Sequence, residues 1–68
     1  MRFDLTFNMD NGAFEKAPER EIARILSSIT SIIQRDGLTY ADIRDINGNH
    51  IGEWEIVVDE LLRLAKED

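Results

Sequence analysis

The 68-residue chain contains no cysteine, a single histidine, a single proline and a single tryptophan, and it has eight basic residues against fourteen acidic ones. Without cysteine, neither a disulfide framework nor a thiolate zinc site can compensate for a small core. A chain of this length buries only about 60% of the surface that its unfolded form exposes. We therefore expect one small domain over residues 1–68, present as a monomer or a homodimer.

A long apolar run is also missing, because charged residues interrupt the sequence from Arg2 onward. A signal peptide or a membrane-spanning helix would need such a run. We therefore expect the protein to be cytoplasmic.

Basic residues are scarce in one half of the chain. Between Asp36 and Glu60 there are seven acidic residues and one basic residue, Arg44, whereas the remainder is balanced. The whole net charge of −6 therefore arises in this segment. An acidic balance disfavours direct binding to nucleic acid or to an anionic membrane, because both require a basic patch.

The first residues alternate between apolar and polar side chains. Such a period of two is typical of a strand with one buried face, so we predict a strand near residues 2–9. Its inward-facing residues would be Met1, Phe3, Leu5, Phe7 and Met9. The following Asp10-Asn11-Gly12 has the composition of a turn, which ends the strand.

A helix is predicted near residues 18–36. Pro18 suits the first turn, and Glu19 and Glu21 complement the positive end of the helix dipole. Gly37 can adopt the left-handed conformation that ends a helix, with Leu38 returning to contact Ile33. The apolar positions gather on one face at helical spacing and predict a core-facing stripe of Ile22, Ile25, Leu26, Ile29, Ile32 and Ile33.

Asn47-Gly48 between two strand-like segments, near residues 39–46 and 50–58, predicts a β-hairpin. A two-residue turn would oppose Ala41 to Trp54 and would bring Asp42 against Glu53, an unfavourable pair of like charges. A three-residue turn with Gly48 as a bulge would instead oppose Ile43 to Ile51. A second bulge at Gly52 would allow Ile51 and Trp54 to face inward together.

After the hairpin, apolar residues recur at helical spacing at Val58, Leu61, Leu62 and Ala65, and predict a short helix near residues 59–66. The order of elements is then β-α-β-β-(α). We predict a two-layer α+β fold in which one helix covers a three-stranded, mainly antiparallel sheet with the third strand at its centre. The other face of the sheet would be left open.

Two constellations near the hairpin resemble functional sites but are incomplete. Asp45, Asn47 and Asn49 have the spacing of the first ligands in an EF-hand calcium loop. The Gly expected at the sixth position is His50, and the Glu expected at the twelfth is Ile56. We therefore interpret the segment as a plain turn and predict no metal and no cofactor.

His50 lacks the partners that catalysis would require. Asp45 is its possible cross-strand neighbour, but no third group or nucleophile completes a catalytic set. The uncharged helix residues Ser27, Ser28, Thr30 and Ser31 have no accompanying base or glycine-rich elbow, so they suggest a contact surface and not a serine nucleophile. We predict that the protein is not an enzyme.

The acidic residues have two interpretations. They can be solvated charge that keeps the domain soluble, or they can form a recognition surface for a basic partner. For the second interpretation, the candidate partner-binding residues are Asp42, Asp45, Glu53, Glu55, Asp59 and Glu60. Trp54 is interpreted as a core residue, with an interface anchor as the alternative.

Two segments carry a resemblance to a known class: Phe3-Asp4-Leu5 through Asp10-Asn11-Gly12-Ala13-Phe14, and Arg44-Asp45-Ile46-Asn47-Gly48-Asn49-His50-Ile51-Gly52-Glu53-Trp54. With the helix between them, over residues 1–57, they resemble short uncharacterised proteins of bacteriophages and prophages. The resemblance implies a location in the host cytoplasm and a role in binding and blocking a host protein, as anti-CRISPR inhibitors that imitate DNA do. The alternative is a small structural or dimerisation module without an inhibitory role.

Overall fold

The computed structural model describes residues 1–58 and contains one helix packed on an antiparallel three-stranded sheet. Strand β1 spans Arg2–Phe7, a 3₁₀ turn spans Gly12–Phe14, and helix α1 spans Pro18–Asp36. Strands β2 and β3 span Tyr40–Arg44 and His50–Val57. The predicted α+β fold is confirmed, whereas the helix predicted near residues 59–66 lies outside the described residues.

Helix α1 has the predicted bounds because its ends carry strong local signals. Pro18 occupies the first helical position, where its missing N–H costs nothing, and Ala17 precedes it as the N-cap. At the other end, Gly37 has a φ of 64°, and its N–H donates to the Ile33 carbonyl at 3.0 Å. This single bond is the simpler left-handed cap. Leu38, which was predicted to fold back, is exposed.

The strands lie in the order β1-β3-β2, so the prediction of a central third strand is confirmed. Both neighbours run antiparallel to β3, with Leu5 opposite Trp54 on one side and Ala41 opposite Trp54 on the other. Strand β1 is two residues shorter than predicted, because its pairing with β3 as a strand ends at Phe7. Met9 therefore lies beyond the strand.

Each of the two predicted hairpin registers applies to a different part of the hairpin. At the turn, Gly48 has a φ of 88° and acts as the bulge residue, so that Arg44 opposes His50. Further along, Ile43 opposes Gly52 and Asp42 opposes Glu53, as a two-residue turn would have required. A second irregularity between these parts accommodates Ile51. The predicted second bulge is confirmed, and it places both Ile51 and Trp54 in the core.

Gly52 also permits close contact between β1 and β3. A Cβ atom at this position would lie 2.0 Å from the Thr6 carbonyl oxygen and 2.6 Å from the Phe7 Cα. Both obstacles are backbone atoms, so a side-chain rotation cannot relieve them. The packing of the two strands at this point therefore requires glycine.

The core lies between α1 and the half of the sheet formed by β2 and β3. Its buried apolar residues are Phe14, Ile25, Ile29, Ile43, Ile51 and Trp54. Phe14 comes from the 3₁₀ turn, where the side chain of Asn11 accepts a hydrogen bond from the Ala13 N–H and fixes the local conformation. Phe14 is absent from the core predicted from the sequence, although it stacks on Phe7 with ring centroids 6.1 Å apart.

The apolar row of β1 is less buried than its alternation predicted. Leu5 and Phe7 pack partly against the core, but Met1, Phe3 and Met9 are exposed. The reason is the position of β1 at the edge of the sheet, at the margin of the cluster that α1 covers. Leu26 is likewise exposed, which corrects its assignment to the core-facing stripe, whereas Ile25 and Ile29 are buried.

Candidate acidic binding surface

The face of the sheet opposite α1 presents polar side chains from all three strands. The register aligns them in two rows across the sheet, because directly opposed residues of a pleated sheet point to the same side. One row contains Thr6, Glu53 and Asp42, and the other contains Asp4, Glu55 and Tyr40. The single α-helix among residues 1–58 packs on the opposite side. This outer face is therefore open in the described part of the chain.

Four carboxylates on this side form what we call the acidic face: Asp4, Asp42, Glu53 and Glu55. Neighbouring strands lie about 4.8 Å apart, and alternate residues along a strand lie about 6.6 Å apart. Four like charges are thus concentrated within roughly a 5 by 7 Å mesh. The side chains of Asp42 and Glu53 are 65% and 63% exposed, so water and a partner can reach both.

Arg2 and His50 lie close to carboxylates of the acidic face. The Arg2 Nε donates to both Asp4 carboxylate oxygens, at 3.0 and 3.1 Å. The His50 Nε2 lies 3.7 Å from Asp42 Oδ1 and 3.9 Å from Glu53 Oε2. The prediction that Asp45 is the cross-strand neighbour of His50 is wrong, because the bulge at Gly48 in the turn aligns His50 with Arg44 instead. A protonated His50 would offset part of the repulsion between Asp42 and Glu53.

Asp45 does not belong to the acidic face, which corrects its assignment as a partner-binding residue. Its side chain is buried, with a residue exposure of 4%. Asp45 Oδ1 accepts hydrogen bonds from the Asn47 and Asn49 N–H groups, both at 2.9 Å, and Oδ2 accepts from Asn49 Nδ2 at 3.1 Å. The carboxylate thus replaces the missing backbone partners of the turn. Its negative charge is not available to a partner.

Burial alone would raise the pKa of the Asp45 carboxyl, but the hydrogen bonds from Asn49 and Asn47 outweigh burial and hold that pKa below its ordinary value. The anionic form is therefore the one that the turn stabilises. This chemistry also explains the EF-hand-like spacing, since Asp45 here binds the backbone N–H groups of Asn47 and Asn49 and the side-chain amide of Asn49. Among the described residues, no group of three or more acidic, His or Cys side chains could hold a metal ion.

A second buried carboxylate, Glu21, connects the hairpin turn to the start of α1. Its side chain accepts hydrogen bonds from Arg24 Nε at 2.7 Å and Arg24 Nη2 at 2.9 Å, and Oε2 accepts one from the Ile46 N–H at 2.8 Å. Arg24 Nη2 also donates to the Arg44 carbonyl at 3.3 Å. We call Glu21, Arg24 and Asp45 the turn clamp.

The turn clamp stabilises the charged forms of its members. The hydrogen bond with Arg24 lowers the pKa of Glu21, burial opposes this effect, and the bond from Ile46 adds to it. The same contact with Glu21 raises the pKa of Arg24. From the sequence alone, Glu21 is assigned only to the helix dipole. A signal was present in the spacing of Glu21 and Arg24, three residues apart on one helix face, but Ile46 could not be foreseen as the second partner of Glu21.

The remaining predicted contact residues fall in different environments. Ser27, Ser28, Thr30 and Ser31 are exposed on α1, and the Thr30 hydroxyl donates to the Leu26 carbonyl. Trp54 is only 1% exposed, so its core role is confirmed and the interface anchor is wrong. Its ring lies 5.7 Å from that of Phe3. Asp59 and Glu60 lie outside the described residues.

Comparison with known proteins adds no relative: no protein-family model, curated protein or solved structure matches the chain. Within residues 1–58, no helix combines the length and the apolar character needed to cross a membrane. The candidate site is therefore defined by geometry and charge. Of the predicted residues, the structure brings together Asp42, Glu53 and Glu55, and it adds Asp4 through the pairing of β1 with β3.

Proposed function

We propose that this chain is a non-enzymatic binding protein whose acidic face blocks a basic surface of a host protein. The preferred target is a surface that normally binds nucleic acid, such as the channel of a host defence complex, as for an anti-CRISPR-type DNA mimic. One observation supports the proposal above all others. The carboxylates of Asp42, Glu53 and Glu55 are aligned on an open sheet face, where no described helix covers them.

The physical basis is the similarity between a row of carboxylates and a row of phosphates. Both present anionic oxygens at regular intervals, and both attract the Lys and Arg side chains that line nucleic-acid channels. A sheet holds the carboxylates at fixed separations, so their mutual repulsion is already present before a partner arrives. A basic partner relieves that repulsion, which favours binding of this face over a face with dispersed charge.

Binding of this kind should be fast and sensitive to salt. Opposite charges attract at long range, and the attraction is screened over about 10 Å at 0.1 M ionic strength. We therefore expect the association rate to fall as salt increases, with a smaller change in the dissociation rate. A partner held mainly by apolar contacts would show little salt dependence in the association rate.

The test is a pull-down from host lysate with the chain as bait. The triple variant Asp42→Lys, Glu53→Lys and Glu55→Lys reverses the charge of the acidic face. The matched control, Asp10→Lys, Glu15→Lys and Asp36→Lys, changes the net charge equally at exposed positions elsewhere. We expect the wild type and the control to recover a nucleic-acid-binding complex that the face variant does not recover.

A partner retained equally by the face variant would contradict the proposal and would direct attention to the uncharged residues of α1, such as Ser27 and Ser31. Loss of the partner in both triple variants would show that net charge matters and not the acidic face. Nucleic acid added in excess should displace the complex from the wild type, because both would compete for the same basic groups.

A further inference from the structure

We propose that the open edge of β2 is a homodimer interface, at which β2 pairs antiparallel with β2 of a second copy around a two-fold axis at Ile43. The inference does not depend on the proposed function. In the described residues, β2 pairs with β3 on one side only. An edge strand of this kind presents unpaired main-chain groups that a further strand can satisfy.

The main-chain geometry determines which residues are free to pair. In an antiparallel ladder, alternate residues direct both their N–H and C=O groups toward the partner strand. Thr39 accepts a hydrogen bond from the Ile56 N–H, and the Asp45 N–H donates to Asn49, so the odd-numbered positions face β3. The main-chain groups of Tyr40, Asp42 and Arg44 consequently face the open edge.

One symmetric register uses these groups and matches the charges. With the axis at Ile43, Asp42 of one copy lies opposite Arg44 of the partner subunit, and the reverse pair forms on the other side of the axis. Each dimer would thus gain two pairs of opposite charges on the outer face, where cross-strand pairs are stabilising. Shifting the axis to Asp42 would instead oppose two aspartates.

The Arg44 carbonyl already accepts a hydrogen bond from Arg24 Nη2 at 3.3 Å. A carbonyl oxygen has two lone pairs, so it can accept a second bond from the partner strand. The existing bond also shows that this carbonyl points away from β3, as the register requires.

The same register brings exposed apolar side chains together. Tyr40 and Ile46 are 72% and 66% exposed, and both lie at the β2 side of the sheet. Beyond the paired strand residues, Tyr40 of one copy would approach Ile46 of the partner subunit through side chains alone, because Ile46 lies in the turn and its N–H is already bonded to Glu21. On the inner face, a groove of about 270 Å³ runs along β2 beside α1 and is lined in part by Ile25, Ser28, Ile29, Ile32 and Ile43. A second copy pairing with β2 would extend the sheet past this groove and cover its open side.

Charge also favours a second copy over other occupants of this groove. In a symmetric dimer each surface meets itself, so a chain with a net charge of −6 can self-associate only where its charge is balanced or absent. The β2 edge has a balanced pair, Asp42 and Arg44. The adjacent part of α1, residues 25–34, contains no charged side chain. The two helices can therefore lie side by side without repulsion.

The assembly would be a six-stranded sheet with two helices on one side. Because the two-fold axis is perpendicular to the sheet, both acidic faces would lie on the other side, one on each flank of the central Asp42–Arg44 pairs. Six strands at about 4.8 Å spacing make this side of the sheet roughly 30 Å wide.

Sedimentation velocity over a range of concentrations tests the proposal with two single variants. Asp42→Arg opposes basic side chains at both paired positions, and Arg44→Asp opposes acidic ones. We expect each variant alone to weaken dimerisation at least about tenfold, because two cross-strand pairs change sign in each dimer. An equimolar mixture of the two variants should recover the dimer, because each copy then supplies the charge that the other requires.

Recovery in the mixture also excludes misfolding as the cause of the losses, including loss of the hydrogen bond from Arg44 Nη1 to the Gly48 carbonyl. Amide hydrogen exchange gives a second readout. The Asp42 and Arg44 amide protons should become more protected as concentration rises, while that of Asp45 should not change. A wild type that remains monomeric at about 1 mM would overturn the proposal, since its dissociation constant would then be weaker than about 1 mM. Dimers that both single variants leave unchanged would also overturn it.

Discussion

The carboxylates of the turn clamp and those of the acidic face are chemically alike but differ in burial and in their effect on folding stability. Glu21 and Asp45 are buried, and each accepts several hydrogen bonds from fixed donors. Asp42 and Glu53 oppose each other on exposed strand positions, with His50 Nε2 lying 3.7 Å from Asp42 and 3.9 Å from Glu53. The first pair stabilises the fold as anions, whereas the second pair destabilises it slightly as anions. Local donors, and not sequence charge, decide which carboxylates a partner can use.

The largest expected effect comes from a substitution at Gly52, which would disturb the hairpin and the acidic face together. In Gly52→Ala the new Cβ would collide with backbone atoms of β1, and a displacement of β3 would misalign the acidic face as well as the hairpin. We expect a loss of more than about 3 kcal/mol in the free energy of unfolding, measured by urea denaturation. Gly12→Ala is the control, because nothing lies within 4 Å of its Cβ position. Equal stability of the two variants would contradict the close approach of β1 to β3 at this residue.

Removing the clamp carboxylate on α1 should have the next largest effect. Glu21→Ala leaves the Ile46 N–H and the Arg24 guanidinium without their shared acceptor. We expect a loss of about 2 kcal/mol in the free energy of unfolding, the usual size for hydrogen bonds to a charged group. Glu19→Ala, at an exposed position in the same turn of the helix, should cost less than about 0.5 kcal/mol. If both variants lost the same amount, Glu21 would act only through the helix dipole.

Acid should weaken the fold through the turn clamp. The pKa values of Glu21 and Asp45 are lowered in the folded state, so their contribution is present above the unfolded pKa values, at about 4, and is lost as pH falls through the folded values. Urea unfolding between pH 7 and pH 2 should therefore show stability falling below about pH 4. The double variant Glu21→Gln and Asp45→Asn should be less stable at pH 7 and should show a shallower fall. Glu53→Gln with Glu55→Gln should retain the steep fall, since the clamp is intact.

Neutralising the acidic face should have the smallest effect on stability, and in the opposite direction. Asp42→Asn removes the like-charge pair with Glu53, and we expect a gain of up to about 0.5 kcal/mol in the free energy of unfolding. The same variant should bind the proposed basic partner more weakly. Thermal denaturation and partner titration at low salt measure the two effects. If Asp42→Asn instead lost stability, His50 would already offset the repulsion between Asp42 and Glu53 in the wild type.

Much of the fold could be predicted because its signals are local. Pro18 and Gly37 mark the two ends of α1, and Asn47-Gly48 marks the hairpin. The hairpin register could only be narrowed to alternatives, because two bulges act in succession and each shifts the pairing by one residue. The poor coverage of Phe3 depends on how far α1 extends over the edge strand, which is a tertiary property.

The candidate site could be predicted only in part for the same reason. Alternation along a strand places Glu53 and Glu55 on one face, and this holds in the structure. Asp45 lies in the same acidic segment, yet its neighbours Asn47 and Asn49 turn their N–H groups toward it and bury it. The partnership between Glu21 and Ile46 joins residues 25 positions apart, so no local pattern could reveal it.

That separation also has a kinetic consequence. The hydrogen bond from the Ile46 N–H to Glu21 requires α1 and the hairpin to be formed and docked, because neither element contains both groups. We expect this docking contact to form after the folding transition state, which corresponds to a φ-value near zero at Glu21. Glu21→Ala should therefore accelerate unfolding while leaving the refolding rate nearly unchanged. The turn clamp would then act as a latch that determines how long the native state persists, more than how quickly it is reached.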